Sequence, residues 1–559
     1  MVTFLAATYA IVFIAHNVLG LGRDNGPDGG NGRPTDPVPS ELSEHAYIRQ
    51  ACNMPAEWIK YIDRGYEPGP AQGKDLIIVP KPPGYVGGLI STTHSGPYDF
   101  LMDVPLTFYG PGFVEPRGRI TPDREVTVAD LAPTYADLVG FDLPERDGVS
   151  LIDELKPTPN KPRLIVTIAI DGGGWNVLET WPDAWPNLKE FMEKGINFDN
   201  ATVGSSPSVT PATHSNMGTG AFPKRHQVTA IVVRKDDGEI VGSFSRDLRS
   251  AGSDVVPNRV LQMGTFADLY DVAMNNEPKV ALVGFGNYIT GMVGHGANWP
   301  GGDHDIVAFE EVEGWATDPE FYSLPEYLTT ELPGPEADYE RVDVSDGQAD
   351  GLWRGHEISP LDATPAYAPW QNRAIIEIIE REGFGQDDVT DLMNINYKAP
   401  DAAGHKWNMI GPEQEDVLVS TDEAIGDLVD FLDNTVGEEN YLVVITADHG
   451  QTPLEAGGWP IYRLELLQDV ARVFDHTGND VGVIDQTTAT TIFLRPNELE
   501  TNDTTPEQMA AFLSDYRIED NIGTQDYPAE FNDRKNEKIF AGVFPGRKLD
   551  EVVACSKNK

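Results

Sequence analysis

At 559 residues with 40% hydrophobic side chains, the chain is too long for one ordinary domain and too apolar for global disorder, and it suits a large α/β domain with insertions. Its 89 Asp plus Glu against 41 Lys plus Arg give a formal net charge of -48. That balance excludes nucleic acid held through its backbone at low salt, and it disfavours polyanionic substrates unless metals or local cations reverse the field within a cleft.

The acid runs through periodic segments as well as loops and reads as a solvated surface suited to a high-salt habitat, where screening weakens self-repulsion. Residues 1–21 contain no Asp, Glu, Lys or Arg and are long enough to cross a bilayer. Residues 22–42, rich in Gly, Pro and Asp, read as a flexible linker. A membrane anchor and a membrane-anchored or extracytoplasmic location are expected, although no basic region or A-x-A-like cleavage site marks a secretory leader. A buried helix or a misassigned start are the alternatives. Cys52 and Cys555 allow one bridge and have no metal-binding spacing.

The next segment predicts helix from Glu44 to Arg64 and a strand from Asp75 to Val79. His94 follows in a loop, where its spacing alone is that of an ordinary loop histidine. Lys156 to Pro162, KPTPNKP, has the composition of a surface linker. Leu164 to Ile170 is unbroken apolar and β-branched sequence, a strand buried on both faces of a parallel sheet. Asp171 and three glycines end it, placing a carboxylate at the edge where open α/β sheets bind ligands. Thr210-Pro211 reads as N-cap and first helical residue, so the Thr210 hydroxyl shares space with free N–H groups suited to phosphate.

Further along, helix is predicted over Thr265 to Ala273 and a strand over KVALVGFG. The segment carrying His295, Asp303, His304 and Asp305 reads as a cleft-lining loop with structural or substrate-facing roles ahead of metal binding. Acidic, Pro-rich sequence from Glu310 to Asp350 reads as an insertion. Asn372 to Glu380 is helical and DLMNINY is a strand. Asp401 and His405, four residues apart, share a face if their segment is helical. Ser420 to Glu423 resembles a capping box that starts a helix with an Ile425, Leu428, Phe431 and Leu432 stripe. The strand YLVVITA then brings Asp448-His449 to the same edge as Asp171. His476 lies between a helix and a strand, and Trp175, Trp181 and Trp185 read as packing anchors.

Asp171 after a strand, Thr210 ten residues before Gly220, Asp401 and His405 in DAAGH, and Asp448-His449 in ITADHG together resemble the alkaline phosphatase superfamily. Within it they look most like the type I phosphodiesterase/nucleotide pyrophosphatase branch. The resemblance implies an α/β fold with a mostly parallel central sheet, helices on both faces and cap insertions. It implies two divalent metal ions, generally zinc, with manganese or iron also compatible with the ligands. Asp401, His405 and His94 would hold one ion; Asp171, Asp448, His449 and the Thr210 oxygen would hold the other. Thr210 would be the nucleophile that takes a phosphoryl group and passes it to water. His476 is the rival for the place given to His94.

In the family, a late His followed by Pro-Leu, Gly-Pro-Gly and an Asp-Leu-Ala-Pro-Thr helix start closes the chain. Here His94, Pro105-Leu106, Gly110-Pro111-Gly112 and Asp130 to Thr134 precede Asp171. The chain therefore reads as circularly permuted, with the strand before His94 expected in the main sheet and the His94 imidazole toward the first metal. Residues 43–155 correspond to the usual last part, 156–162 to the joint, and 163–559 to the main catalytic domain with insertions around 229–350 and 451–540. The expected function is phosphoric-ester hydrolysis of a small phosphate ester, diester or pyrophosphate before monoester, with no nucleic-acid duplex as partner. A phosphomonoesterase and an inactive membrane-attached binding protein are the alternatives, and oligomeric state is left open. Sulfatase chemistry is disfavoured because no Cys-x-Pro-x-Arg occurs at the nucleophile. The family's His-Gly with a following Asn on a phosphoryl oxygen is replaced by His226-Gln227 and then Thr229, Ala230 and Ile231.

Overall fold

The run from Leu164 to Ile170 forms a strand buried along its whole length, and it lies at the middle of a nine-stranded sheet. In this computed structural model the described residues are 44–557 apart from 67–74, 88–91, 235–237, 245–259, 312–313, 360, 454–456, 480 and 524–528. The expected anchor and linker, 1–21 and 22–42, lie outside them. Among the described residues no helix is long and apolar enough to cross a membrane.

In chain order the strands of the large sheet are β1 (Leu106–Tyr109), β2 (Gly118–Ile120), β3 (Leu164–Ile170), β4 (Ile196–Phe198), β5 (Val280–Phe285), β6 (Ile306–Glu310), β7 (Trp315–Ala316), β8 (Asp391–Tyr397) and β9 (Tyr441–Ala447). Their spatial order is β7-β6-β5-β8-β3-β9-β1-β4-β2. The five strands from β6 to β9 are parallel, with β3 flanked by β8 and β9 in register over all seven of its residues. Continuous apolar strands suit this position because helices cover both faces. One apolar layer includes Ile375, Ile378, Leu428 and Leu432 from two helices. The opposite layer includes Leu131, Leu138, Met217 and Phe266. Trp175 and Trp185 lie in the first layer, with Trp181 packed against it.

β1 runs antiparallel to β9, pairing Leu106 with Thr446, whose hydroxyl donates to Pro105 O at 2.7 Å. The start of β1 therefore lies at the carboxyl edge of β9, and the residues that precede it are carried to that edge.

A second, four-stranded antiparallel sheet joins Leu76–Pro80 to Ile484–Thr487, Thr491–Leu494 and Phe540–Pro545. Its core also draws on the helices Glu44–Cys52 and Arg463–Phe474. Cys52 and Cys555 are bonded, with Cα atoms 5.9 Å apart.

Several expectations change. The strand before His94 belongs to this second sheet and not to the large one; LIIVP is buried on both faces in either setting, so its composition does not specify its partners. Within 229–350, β5, β6 and β7 are strands of the large sheet and not part of an insertion, so the segment expected as an insertion from Glu310 to Asp350 also contributes an edge strand to it. The single helix expected from Glu44 to Arg64 is two, Glu44–Cys52 and Ala56–Arg64, divided at Pro55, which has no N–H to continue the ladder. Ser420 begins nothing: the helix runs from Pro412 to Thr435, and Ser420 Oγ donates to Pro365 O from its interior. Pro at the first position of that helix outweighs the internal box-like pattern.

Candidate metal centre

The carboxyl ends of β3, β8 and β9 deliver Asp171, Lys398 and Asp448-His449 to one place. Asp171 directly follows β3, and its backbone N–H donates to Tyr397 O at 3.0 Å. Gly172 takes a left-handed φ of +68°, and a Cβ there would meet Gln451 Nε2 at 2.6 Å and Asp401 Cα at 3.0 Å. Only glycine lets the backbone turn this close to the Asp401 helix, and its N–H donates to Asp448 Oδ1 at 3.0 Å.

Helix α1 (Thr210–Thr219) starts one residue earlier than its Thr-Pro signal predicts: Val209 is the N-cap and Thr210 the first helical residue. Helix α2 (Ala399–Trp407) carries Asp401 and His405 one turn apart. Asp401 Oδ1 lies 3.3 Å from His94 Nε2 and 3.4 Å from His405 Nε2. His449 stacks on His94 with ring centroids 3.4 Å apart, and its Nε2 lies 3.2 Å from Asp448 Oδ2 and 3.6 Å from Asp171 Oδ1. Two tight ligand groups result: His94, Asp401 and His449; and Asp171, Asp448 and His449.

Sequence reasoning assigned His449 to the Asp171 group alone, yet its imidazole stands against both. His405 meets Asp401 from the more exposed side. His476 is not among the residues meeting Asp401; its backbone N–H donates to Asn502 Oδ1 at 2.6 Å. His226 is buried against the Asn216 amide, 2.9 Å away, and burial lowers its pKa to about 3.

Hydrogen bonding fixes the imidazoles. His94 Nδ1 is 2.9 Å from Ser208 O, His405 Nδ1 is 2.6 Å from Thr92 O, and His449 Nδ1 is 3.0 Å from Gly450 O. A carbonyl can only accept, so each Nδ1 carries the proton and each Nε2 presents a lone pair inward, as metal-ligating histidines do. Asp401 Oδ1, Asp448 Oδ2 and His449 Nε2 are buried without a hydrogen-bond partner. Leaving such atoms unpaired costs about 1–3 kcal/mol each, a cost that coordinated cations remove. The donor set of carboxylates and imidazoles therefore fits divalent metal ions.

Charge agrees. Three buried carboxylates face one lysine, Lys398, which lies 3.3 Å from Asp171 Oδ1 and also pairs with Asp401. Burial would discharge Lys398, but those carboxylates hold it above the ordinary lysine range. Burial and the adjacent Asp448 push Asp171 up to about 7. Burial works against ionisation of Asp401 too, yet His405, Lys398 and His94 keep it well below the carboxylate range. Burial lowers His449 while Asp448 and its neighbours raise it, for a net rise to about 9, so a cation bound there would displace the Nε2 proton to reach the lone pair.

Three participants escaped sequence reasoning. Asn396 Nδ2 donates to Asp171 Oδ2 at 2.9 Å and to His214 Nε2 at 3.2 Å. His214 Nδ1 in turn donates to Thr210 O at 2.8 Å. The start of α1 is thus tied to Asp171 through His214 and Asn396. Lys398 is the third. The available signals were Asn394 and Asn396, polar residues inside an otherwise apolar strand, and a lysine directly before Ala-Pro-Asp.

Comparison with known proteins places these residues in context. The sequence profile of the family described as type I phosphodiesterase / nucleotide pyrophosphatase matches residues 165–540. Alkaline phosphatase PhoV of Synechococcus elongatus is 24% identical over 339 residues, 53% of this chain and 60% of that protein. Alkaline phosphatase PafA of Elizabethkingia meningoseptica is 23% identical over 346 residues, 52% of this chain and 60% of that protein. The matched part of the chain thus spans less than two thirds of these relatives. The crystal structure of wild-type alkaline phosphatase PafA has a TM-score of 0.51 at 16% identity, covering 69% of this chain and 85% of that one, a likeness of fold.

Proposed function

This chain belongs to the type I phosphodiesterase/nucleotide pyrophosphatase family, and from that premise we propose that it is a metal-dependent phosphoric-ester hydrolase in which Thr210 is the nucleophile and diesters or pyrophosphates are preferred to monoesters. The observation that carries the reading is the convergence of the unpartnered Asp401 Oδ1, Asp448 Oδ2 and His449 Nε2 between two ligand groups at the carboxyl edge of the sheet.

Divalent cations bound there, zinc by the ligand chemistry, would lower the pKa of a hydroxyl or water and neutralise phosphoryl charge. Asp401, His405 and His94 would hold one, and Asp171 and Asp448 the other, with His449 between them. The chain's own work is positioning. The hydrogen-bond path from Thr210 through His214 and Asn396 fixes the start of α1 relative to Asp171. The Thr210 oxygen forms a bond to phosphorus as the bond to the leaving alkoxide, or to the leaving phosphate of a pyrophosphate, breaks, and the leaving group takes up the proton that the Thr210 hydroxyl gives up. Water then adds to phosphorus, the Thr210 oxygen leaves, and the proton released from water restores its hydroxyl.

Charge supports the diester preference. Among the described residues, Lys398 is the one lysine or arginine paired with the site carboxylates, and Asp171 and Asp401 already engage it. The additional negative charge of a monoester therefore gains little from the protein itself. Monoester hydrolysis is the second reading, favoured by the alkaline phosphatase names of the relatives. Metal analysis paired with hydrolysis of bis- and mono-p-nitrophenyl phosphate at molar salt separates them. A diester advantage in kcat/KM is expected; a monoester advantage moves the assignment to the second reading, and metal-replete protein inert on both overturns each.

The chain order is read as a circular permutation. Its support is that residues 92–109 supply His94 and β1, whereas the family match begins at 165. A rearranged chain with 163–557 first and 44–155 joined behind should fold and hydrolyse the same esters. Failure of that chain to fold would count against the permutation alone.

A further inference from the structure

A second cluster of acid lies at the other edge of the large sheet. Asp305 immediately precedes β6, and Asp303 lies two residues earlier. Asp271 reaches them from helix α3 (Phe266–Ala273). One carboxylate oxygen from each of the three lies within 4.8 Å of those of the other two. Strand register runs from β6 through β5 and β8 to β3, so the cluster sits at the amino edge and the metal centre at the carboxyl edge. Strand rise and spacing put them roughly 20 Å apart.

Two features distinguish the cluster from ordinary surface acid. Asp271 is 4% exposed and Asp305 8%, and Asp271 Oδ1 is buried without a hydrogen-bond partner. Among the described residues, none of the three carboxylates has a lysine, arginine or histidine at ion-pair distance. Asp268, one turn before Asp271, is the contrast. Its Oδ1 accepts from His295 N at 2.7 Å, and its Oδ2 accepts from Thr265 N and His295 Nδ1, each at 2.8 Å.

The surrounding backbone holds the three in place. Thr265 and Asp268 form a capping box that fixes the start of the helix. Past its end, Asn276 N–H donates to Asp271 O at 2.9 Å and its side-chain amide donates to Gly301 O at 3.2 Å, tying the helix to the loop that carries Asp303 and Asp305. Burial, then Asp303, pushes Asp271 up to about 7; burial, then Asp271, drives Asp305 well above the carboxylate range. Three carboxylates converging this closely in low-dielectric surroundings repel one another, and a cation between them reverses the sign of that interaction.

We propose that Asp271, Asp303 and Asp305 form a binding site for a hard divalent cation, calcium by preference, separate from the metal centre and joining the α3 helix to the amino end of β6. An all-carboxylate set without imidazole or thiolate favours calcium, magnesium or manganese over zinc, and the exposed Asp303 leaves room for water ligands in calcium's larger shell. The sequence reads Asp303 and Asp305 as part of a cleft-lining loop with metal binding in second place; the loop instead stands at the edge away from the metal centre, and Asp271, more than thirty positions earlier, joins it.

The test uses the full chain with zinc present to keep the metal centre occupied. Equilibrium dialysis against radioactive calcium in molar sodium chloride suppresses diffuse binding to the acidic surface. Wild-type protein should retain about one more calcium per chain than Asp271→Asn, and its thermal midpoint should rise with calcium while that of Asp271→Asn should not. Because a buried variant can fail to fold, Asp303→Asn is measured alongside; this exposed change should weaken calcium binding at least about tenfold with the circular dichroism spectrum unchanged. Equal calcium binding by wild type and Asp271→Asn, or undiminished affinity in a folded Asp303→Asn, would overturn the site.

Discussion

At the carboxyl edge of the nine-stranded sheet, Asp171, Asp401 and Asp448 share their space with Lys398 and four imidazoles, those of His94, His214, His405 and His449. At the amino edge Asp271, Asp303 and Asp305 have no ion-pair partner among the described residues. Both are acid clusters on one scaffold, the first wholly buried and the second buried except for Asp303, but their neighbours differ in kind. Imidazole nitrogens with Nδ1 pinned to backbone carbonyls offer directed lone pairs and suit borderline ions; carboxylates alone suit hard ones. The first arrangement also adjoins a helix start with a hydroxyl, whereas the second adjoins a helix end. One edge is equipped for chemistry and the other for fastening.

The largest effect that would sharpen this contrast is at Thr210. Thr210→Ala should lower turnover by at least about a thousandfold while metal content measured by mass spectrometry stays near wild type. Unchanged turnover would place the nucleophile elsewhere and leave the carboxyl edge as a metal site only. His94→Ala comes next: it should deplete metal and lower activity at least about a hundredfold, with partial recovery at high zinc, whereas His476→Ala should do neither. The opposite pattern in metal analysis would defeat the ligand assignment. Asn396→Ala removes a positioning bond and not a ligand, so a loss of about tenfold in kcat with little change in zinc stoichiometry is expected. Equal losses in metal and rate would make it part of the binding shell. Asp271→Asn should change zinc-loaded ester hydrolysis by less than about twofold, since it lies at the opposite edge. Matching losses at both edges would mean that they are coupled.

Salt acts on the whole surface and should move the comparison least. With a formal charge of -48, the urea midpoint of unfolding should rise between low and molar sodium chloride in wild type and in each variant alike. Midpoints independent of salt would remove screening as an explanation of the acidic composition.

Much of the carboxyl edge was legible because its signals are local. A run such as YLVVITA followed by Asp448-His449, or LIVTIAI followed by Asp171, gives both the strand and the end at which the ligand stands. The i, i+4 spacing of Asp401 and His405 survives because the segment is helical. Other relations depend on tertiary neighbours. Nothing within LIIVP distinguishes the large sheet from the small one. His449 was given to one ligand group because position along the chain cannot show a ring stacked on His94. Asp271 belongs with Asp303 and Asp305 only because a helix and a strand end meet.

The Cys52–Cys555 bond spans 503 positions, so nearly the entire chain is a closed covalent loop. A single proteolytic cut anywhere inside that loop, including the exposed 156–162 stretch, would leave one molecule with two new ends and an unchanged mass apart from the added water. Such nicked protein should migrate as a single species without reductant and separate into two fragments with it. The bond therefore makes the position of the backbone's break largely a matter of indifference to covalent integrity, a molecular counterpart of moving a chain's termini without taking its fold apart.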